Sequence, residues 1–598
     1  MDVNLEKLLT KENFSLQILS SITLFIISFF FIFWIGSYFQ LDIFPLENRA
    51  TIFTTFHIYI FDKYVDAIII TLLTTLWFCL SLRGKKRIVT SISYGGLTAT
   101  ALFTNSSPIL DAAVLISIPA ITSFFVYHYT TKKIIQIQTK LLISFFSLAV
   151  LFIAVSGLII SMISISTSYE LPGWIRNHAV NIFWLFSSFS PVFIFLLLTG
   201  SFIKLFTFKG IRKLKIRIQQ YQINSHIIKR KNKFLFLSIF MFLSIFVALL
   251  PHQSFVNYEN ELVGADTVDY VKSLGSIQVN GNDDFVYRAL VDQKYADRPL
   301  SLILFSPVLT IFPENPYQII DHLPIILSPL LVLAVFFLTR EITTNDSIAL
   351  LASFLTAISF QPLIGIYGGL YANWLALIFG YSSFVFLLRF LKEPKSTNYL
   401  FFSILFFSMM FSHTWTWTLL SLFIGIFLIV SYRFKMYDKK RIGLIFLIIV
   451  VTVAFDLGKS IMIDTPSGIE RDVRFAISDV SILNLFSIWP NLSQTSLVYV
   501  GGIFGNFLIL SLCIYWLWRS DLRKMPNLFI AIFLSIGILP ILFGGEIIQS
   551  RVLYNIPFQI PAAIALVYLS NQHRGTLLVF SIAIWILVMS IQAVINFI

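Results

Sequence analysis

Asp266 and Asp269 stand three positions apart in "FVNYENELVGADTVDYVKSLGS", residues 255–276, with Tyr270 beside them. On a helix that spacing puts both carboxylates on one face. So placed, they could act as a general base or hold a divalent cation, or they could be the solvated face of a surface helix. Glu259 and Glu261 lie just upstream, so four acids fall within eleven positions. Two arginines have the chemistry to answer them. Arg298 precedes a proline in "YADRPLSL", and Arg551 follows Glu546 in "GGEIIQSRVLYNIPFQIPAAIAL". A guanidinium at membrane-surface depth is costly without an anion, and either a lipid phosphate or a nearby acid would serve. Snorkelling to the headgroups explains Arg298 equally well. In "FSHTWTWTLL", residues 411–420, His413, Trp415 and Trp417 could stack on a sugar ring or could belong to an interfacial aromatic belt.

The elements that must position these groups are membrane helices. The 598 residues are 57% hydrophobic and 12% charged, with a mean hydropathy of +0.84. Soluble domains carry about 25% charged residues. Apolar runs of roughly 20 residues recur along the chain, each able to cross about 30 Å of hydrocarbon, and at that length only helices satisfy the backbone. The sequence therefore predicts an all-α polytopic membrane protein with about seventeen spans, six before and eleven after a basic break. Beyond 316 the expected spans are near 318–339, 347–362, 372–391, 398–412, 415–432, 442–458, 495–518, 527–544, 556–570 and 575–595.

A net charge of +13 would suggest a nucleic-acid partner in a soluble protein. Here the basic residues sit in short loops between spans, "RGKKR", "TKK", "SYRFKMYDKKR" and "RSDLRK", which the positive-inside rule assigns to the cytoplasm, so no nucleic acid is expected. The strongest marker is 203–233, with ten Lys or Arg and no acid. It reads as a cytoplasmic linker lying against anionic headgroups, or as a plain topology anchor. Three regions follow: 1–206, six helices of unknown role; 207–233, the linker; and 234–598, with outer loops 251–317 and 456–494. The N-terminus is then cytoplasmic and the 251–317 loop faces the outside or lumen. Residues 251–300 hold eight acids against four Lys or Arg, the reverse of the linker. For later basic loops to stay inside, "PLSLILFSPVLTIF", 299–312, has to lie at the interface or re-enter without crossing. The loop 456–494 mixes Lys459, Asp464, Glu470, Arg471, Asp472 and Arg474 with aromatics and is long enough to cover a cavity or to be an ordinary surface loop. Small residues in "IGIYGGLYANWLAL" suit close helix approach, with Tyr371 and Asn373 toward the outer side. Cys79 and Cys513 lie far apart in apolar runs and predict no disulfide framework. No P-loop, dinucleotide fingerprint, HExxH or cysteine metal site is present.

Residues 234–598 resemble the GT-C class of integral-membrane glycosyltransferases. The order matches: an outward helix at 234–250, "GADTVDY" soon after, "ADRPLSLILF" as a membrane-parallel element, a multi-helix bundle, and a late arginine-aromatic-proline stretch in "RVLYNIPFQIPAAIAL". The resemblance implies a polyprenyl-phosphate-linked sugar as donor, its phosphate held by Arg551 and Arg298. It implies Asp266, with Asp269 second, as the base for inverting transfer to an acceptor on the outer or luminal face. Tyr270, His413, Trp415 and Glu546 would line the substrate. Unlike the commonest pattern, Thr267 rather than a second acid follows Asp266, so the choice between the two aspartates stays open. A divalent cation is optional in the class. The acceptor, whether glycan, lipid or protein, is not legible. The competing readings are a transporter or flippase for a lipid-linked substrate and a non-catalytic membrane protein of envelope assembly. A transporter should carry its polar groups near the midplane, whereas these collect at one face.

Overall fold

Six apolar stretches between residues 232 and 462 form helices long enough to cross a membrane, and a bent pair at 549–570 makes a seventh if taken as one span. The computed structural model describes residues 190–206, 230–278 apart from 255 and 258, 285–291, 298–463, 507–538 and 546–570, with isolated later positions and two short strands. The chain divides into two compact units, Met1–Ile182 with Gln572–Ser581, and Phe183–Asn571 with Ile582–Ile598. In the first, strands β1 (Leu82–Arg83) and β2 (Gln136–Ile137) pair antiparallel, Leu82 opposite Ile137. Apart from that ladder the described residues are helical or irregular. The other five spans expected before the linker, residues 207–229 of the linker and most of loop 456–494 lie outside the described residues.

The second unit begins with α1 (Ser190–Phe206), which packs on α15 (Phe507–Arg519) and α16 (Met525–Ile536). Lys204 Nζ anchors it, donating to the Ser520 carbonyl at 2.6 Å and also to the Leu517 carbonyl. Helix α2 (Arg230–Leu249) turns Phe234, Phe236, Ile239, Phe242 and Phe246 outward, the face a lipid-exposed helix needs. The outer loop follows, with α3 (Thr267–Gln278), α4 (Phe285–Val291), α5 (Pro299–Phe305), α6 (Pro307–Ile311) and α7 (Pro316–Asp321). The last three each start on a proline, which suits a first helical position and cannot continue a helix behind it. That punctuation keeps 299–311 too short to be a span.

The bundle continues through α8 (Pro324–Thr343), α9 (Asp346–Ala357), α10 (Phe360–Tyr367), α11 (Tyr371–Lys392), α12 (Ser396–Ser412), α13 (Thr414–Arg433) and α14 (Lys439–Ile463). Helices α9 and α10 count as one span of 22 residues and are its most enclosed, 89% buried, whereas α14 is only 22% buried and lines the outside. Between them the chain breaks at Ile358–Ser359, and Ser590 Oγ donates to the Ile358 carbonyl at 2.6 Å. The expected loop from 456 starts later: Asp456 and Lys459 belong to α14, because Ile461, Met462 and Ile463 extend its apolar run. Helices α17 (Glu546–Asn555) and α18 (Gln559–Ser570) follow α16, bent by 52° at the break around Pro557.

Ion pairs show which helix ends meet. Lys233 and Arg340 reach Asp346 at 2.7 and 3.0 Å. Lys392 and Arg389 reach Glu341 at 2.7 and 3.0 Å, and Arg441 Nη1 donates to the Leu391 carbonyl at 2.7 Å. The start of α2, the α8–α9 turn, the end of α11 and the start of α14 thus share one end. At the other, His252 stacks on His322 with ring centroids 4.1 Å apart. The excursion from 253 to 321 therefore leaves and returns at the same end, with no net crossing.

Candidate active site

The segment carrying Asp266 is a turn tied into the bundle on two sides. Ala265 donates its amide to the Tyr367 carbonyl at 2.9 Å, and Asp321 accepts the amides of Val263 and Gly264 at 2.9 and 2.8 Å. Helix α3 then starts, the Tyr270 amide closing on the Asp266 carbonyl at 3.1 Å. Asp266 is half-buried and Asp269, one turn on, is exposed. Tyr270 is buried, its ring against Phe305 and Tyr371 at 5.9 and 5.4 Å. Its hydroxyl oxygen accepts from the Ala372 amide at 3.0 Å, at the start of α11.

Both arginines come to this turn. Arg298 directs Nη1 at the Tyr270 hydroxyl, 3.5 Å away, with its guanidinium 5.8 Å from the ring centre. The α5 helix behind it is fixed by Ser301 Oγ, which donates to the Ser412 carbonyl at 2.9 Å. The next residue is His413, buried between α12 and α13, where its Nδ1 accepts the Thr416 amide at 3.3 Å. Thr416 in turn donates its hydroxyl to Asn373 Oδ1. Arg551 Nη1 lies 3.4 Å from His413 Nε2. Four segments from 266 to 551 thus converge at one end of the second unit.

The electrostatics follow from that convergence. Burial pushes the Asp266 carboxyl up, Arg551 and, less strongly, Arg298 pull it down, Asp269 pushes it up, and the sum is a raised pKa. Burial likewise raises the Tyr270 phenol, which keeps its proton.

Of the residues singled out from the sequence, Asp266, Asp269, Tyr270, Arg298, His413 and Arg551 fall in this cluster. Trp415 is half-buried on the first turn of α13. Glu546 opens α17, and its side chain lies outside the described part. Among the described residues no group of three or more His, Cys, Asp or Glu is placed to hold a metal ion.

Two supports were not read from the sequence. Asp321 at the end of α7 is one; an acid inside "QIIDHLPIIL", against an apolar run, is costly unless partnered and so was a detectable signal. Gly369 is the other. It has φ +62°, and a Cβ there would sit 2.7 Å from the Asp266 amide nitrogen.

No family model matches the chain, and no curated protein matches it in sequence. Among solved structures it is similar to an oligosaccharyltransferase of Archaeoglobus fulgidus, solved with zinc and sulfate, at 16% identity and a TM-score of 0.43. The match covers 60% of this chain and 53% of that one, so the chain spans about half the length of that enzyme. At that score the likeness decides neither fold nor activity.

Proposed function

We propose that this chain is an integral-membrane glycosyltransferase that moves a sugar from a polyprenyl-phosphate carrier to an acceptor at the outer or luminal face. The observation that carries the reading is the meeting of the Asp266 turn with Arg298, at the Tyr270 hydroxyl, and with Arg551, beside His413, from segments far apart in sequence. A carboxylate beside two guanidiniums offers a proton acceptor next to a phosphate cradle, which is what displacement of a phosphate leaving group requires.

In this scheme Arg551 and Arg298 hold the donor phosphate. Asp266 accepts the proton of the acceptor hydroxyl, whose oxygen bonds to the anomeric carbon from the face opposite the phosphate. The bond from that carbon to the phosphate oxygen breaks, its electron pair leaves with the polyprenyl phosphate, and the centre inverts. Asp269 stands as second carboxylate, and Trp415, half-buried on the first turn of α13, lines the sugar side. Positioning and one base account for the step, since the leaving group is already good. Among the described residues the charged groups of the proposed site, Asp266, Asp269 and Arg298, sit in the outer loop at one end of the bundle, which favours this reading over a transporter.

The test is transfer by the purified chain in nanodiscs from a panel of polyprenyl-phosphate hexoses and pentoses. Asp266→Asn is expected to lower kcat by about 10²–10⁴-fold with thermal unfolding unchanged. Wild-type activity in that variant would remove Asp266 from the reaction.

A further inference from the structure

Beneath the Asp266 turn lies a carboxylate that the scheme does not use. Asp321 is 3% exposed, and both its oxygens are engaged. Oδ2 accepts the Val263 amide at 2.9 Å, while Oδ1 accepts the Gly264 amide at 2.8 Å and the Thr267 hydroxyl at 2.7 Å. The Tyr371 hydroxyl stands 3.3 Å from Oδ1, and His252 Nδ1 3.4 Å from Oδ2. Donors from three segments thus converge on one buried group, and three of the five belong to residues 263–267 around Asp266.

The turn itself has no slack. Gly369 lies against the Asp266 backbone, and a Cβ on Gly264 would come within 2.2 Å of the Tyr371 hydroxyl oxygen. Glycine is required at 369 by its left-handed φ and at 264 by space. The backbone that bears Asp266 is therefore held by Asp321 and closely approached by the Gly368–Gly369 turn.

We propose that Asp321 is a positioning residue: by binding the 263–267 backbone it sets where the Asp266 carboxylate stands relative to Arg551 and Arg298. The inference rests on the reading of Asp266 as base, and Asp321 acts through it without touching substrate. An anchor that only held the loop to the bundle would leave the protonation of Asp266 alone. A positioning anchor would not, because the two arginines lower that carboxyl only while they are near it.

The experiment uses the full chain in nanodiscs. Asp321→Asn keeps the size but turns one acceptor oxygen into an NH2 group facing an amide or hydroxyl donor. The expected results are faster deuterium uptake in 261–268, by roughly tenfold, and a fall in kcat of about 10²-fold. The acid limb of the kcat/KM profile should move to higher pH, and Asp321→Asn should add no further loss in an Asp266→Asn background. Uptake equal to wild type overturns the proposal, as does raised uptake with kcat and acid limb in place. If Asp321→Asn does not fold, Thr267→Val removes one donor and keeps the charge; smaller changes in the same directions support the proposal, and none overturns it. Should the wild-type chain transfer no sugar, the proposed function fails, while the uptake comparison still decides the anchoring.

Discussion

The Asp266 carboxyl stands under two opposed influences, and that makes its neighbours distinguishable by titration. Burial raises the carboxyl, the arginines lower it and Asp269 raises it. A base works only when deprotonated, so kcat/KM falls as pH drops through this pKa, at a pH above that of an ordinary exposed aspartate. Arg551→Ala removes a lowering charge and should move the acid limb to higher pH. Asp269→Asn removes a raising charge and should move it to lower pH. A pH–rate profile of both variants checks the signs; shifts in the same direction would mean the limb belongs to another group. Arg551→Ala should also raise KM for the polyprenyl-phosphate donor by about tenfold or more, the worth of a charge-assisted hydrogen bond. The charged residues of the cluster drew notice in the sequence because a charge beside an apolar run is conspicuous. Asp321 was not read because its role lies in whose amides it accepts, and no spacing rule links residue 321 to residues 263–267.

The helix break before α18 is where an element sets the site. Pro557 interrupts the ladder between α17 and α18, and inside a membrane the freed carbonyls need protein donors. Gln361 and Tyr381 supply them: Gln361 Nε2 donates to the Tyr554 carbonyl at 2.7 Å and Tyr381 to the Asn555 carbonyl at 2.9 Å. Gln559 Nε2 returns a bond to Gln361 Oε1 at 2.7 Å, and the Tyr554 hydroxyl one to the Gln361 carbonyl at 3.1 Å. Arg551 sits one turn before this clamp. Gln361→Leu keeps the bulk and strands the Tyr554 carbonyl and the Gln559 amide, at roughly 1–3 kcal/mol for each buried group left unsatisfied. The expected outcome is a lower unfolding temperature together with a raised donor KM, read by thermal unfolding and kinetics on the same preparation. Stability lost with KM unchanged would show that the clamp does not govern Arg551. The break at Pro307 was not read, since length and the loop charges mark 299–312 only as one non-crossing element; the break at Ile358–Ser359 was read through as continuous span, because hydropathy stays high across it.

At the scale of the second unit, the described helices between 233 and 441 have two charged ends around an apolar middle, and the ion pairs assign their turns to one end without reference to a lipid. Lys233, Asp346, Glu341, Lys392 and Arg441 share one end through direct bonds. The Asp266 turn, His252, Asp321 and His322 share the other. The alternation read from basic loops matches this grouping between 233 and 441, because the positive-inside rule acts on the short loops that the helix ends expose. Span number is less legible: six or seven helices pass by length and composition among the described residues, while α5–α6, α12, α15 and α16 are shorter. Length alone does not separate a short span packed in protein from a helix that lies at the surface. Sidedness is the remaining step, and two exposed lysines test it. Lys272 lies on α3 at the Asp266 end, and Lys440 at the start of α14 beside Arg441. With Cys79 and Cys513 replaced by serine, Lys272→Cys should react with a membrane-impermeant maleimide on intact cells. Lys440→Cys should react only after permeabilisation, since its end carries the basic loops. Labelling of both from one side would break the two-ended arrangement. The reverse pattern would keep that arrangement and move the site to the cytoplasm, where a donor presented from the outer leaflet would not reach it.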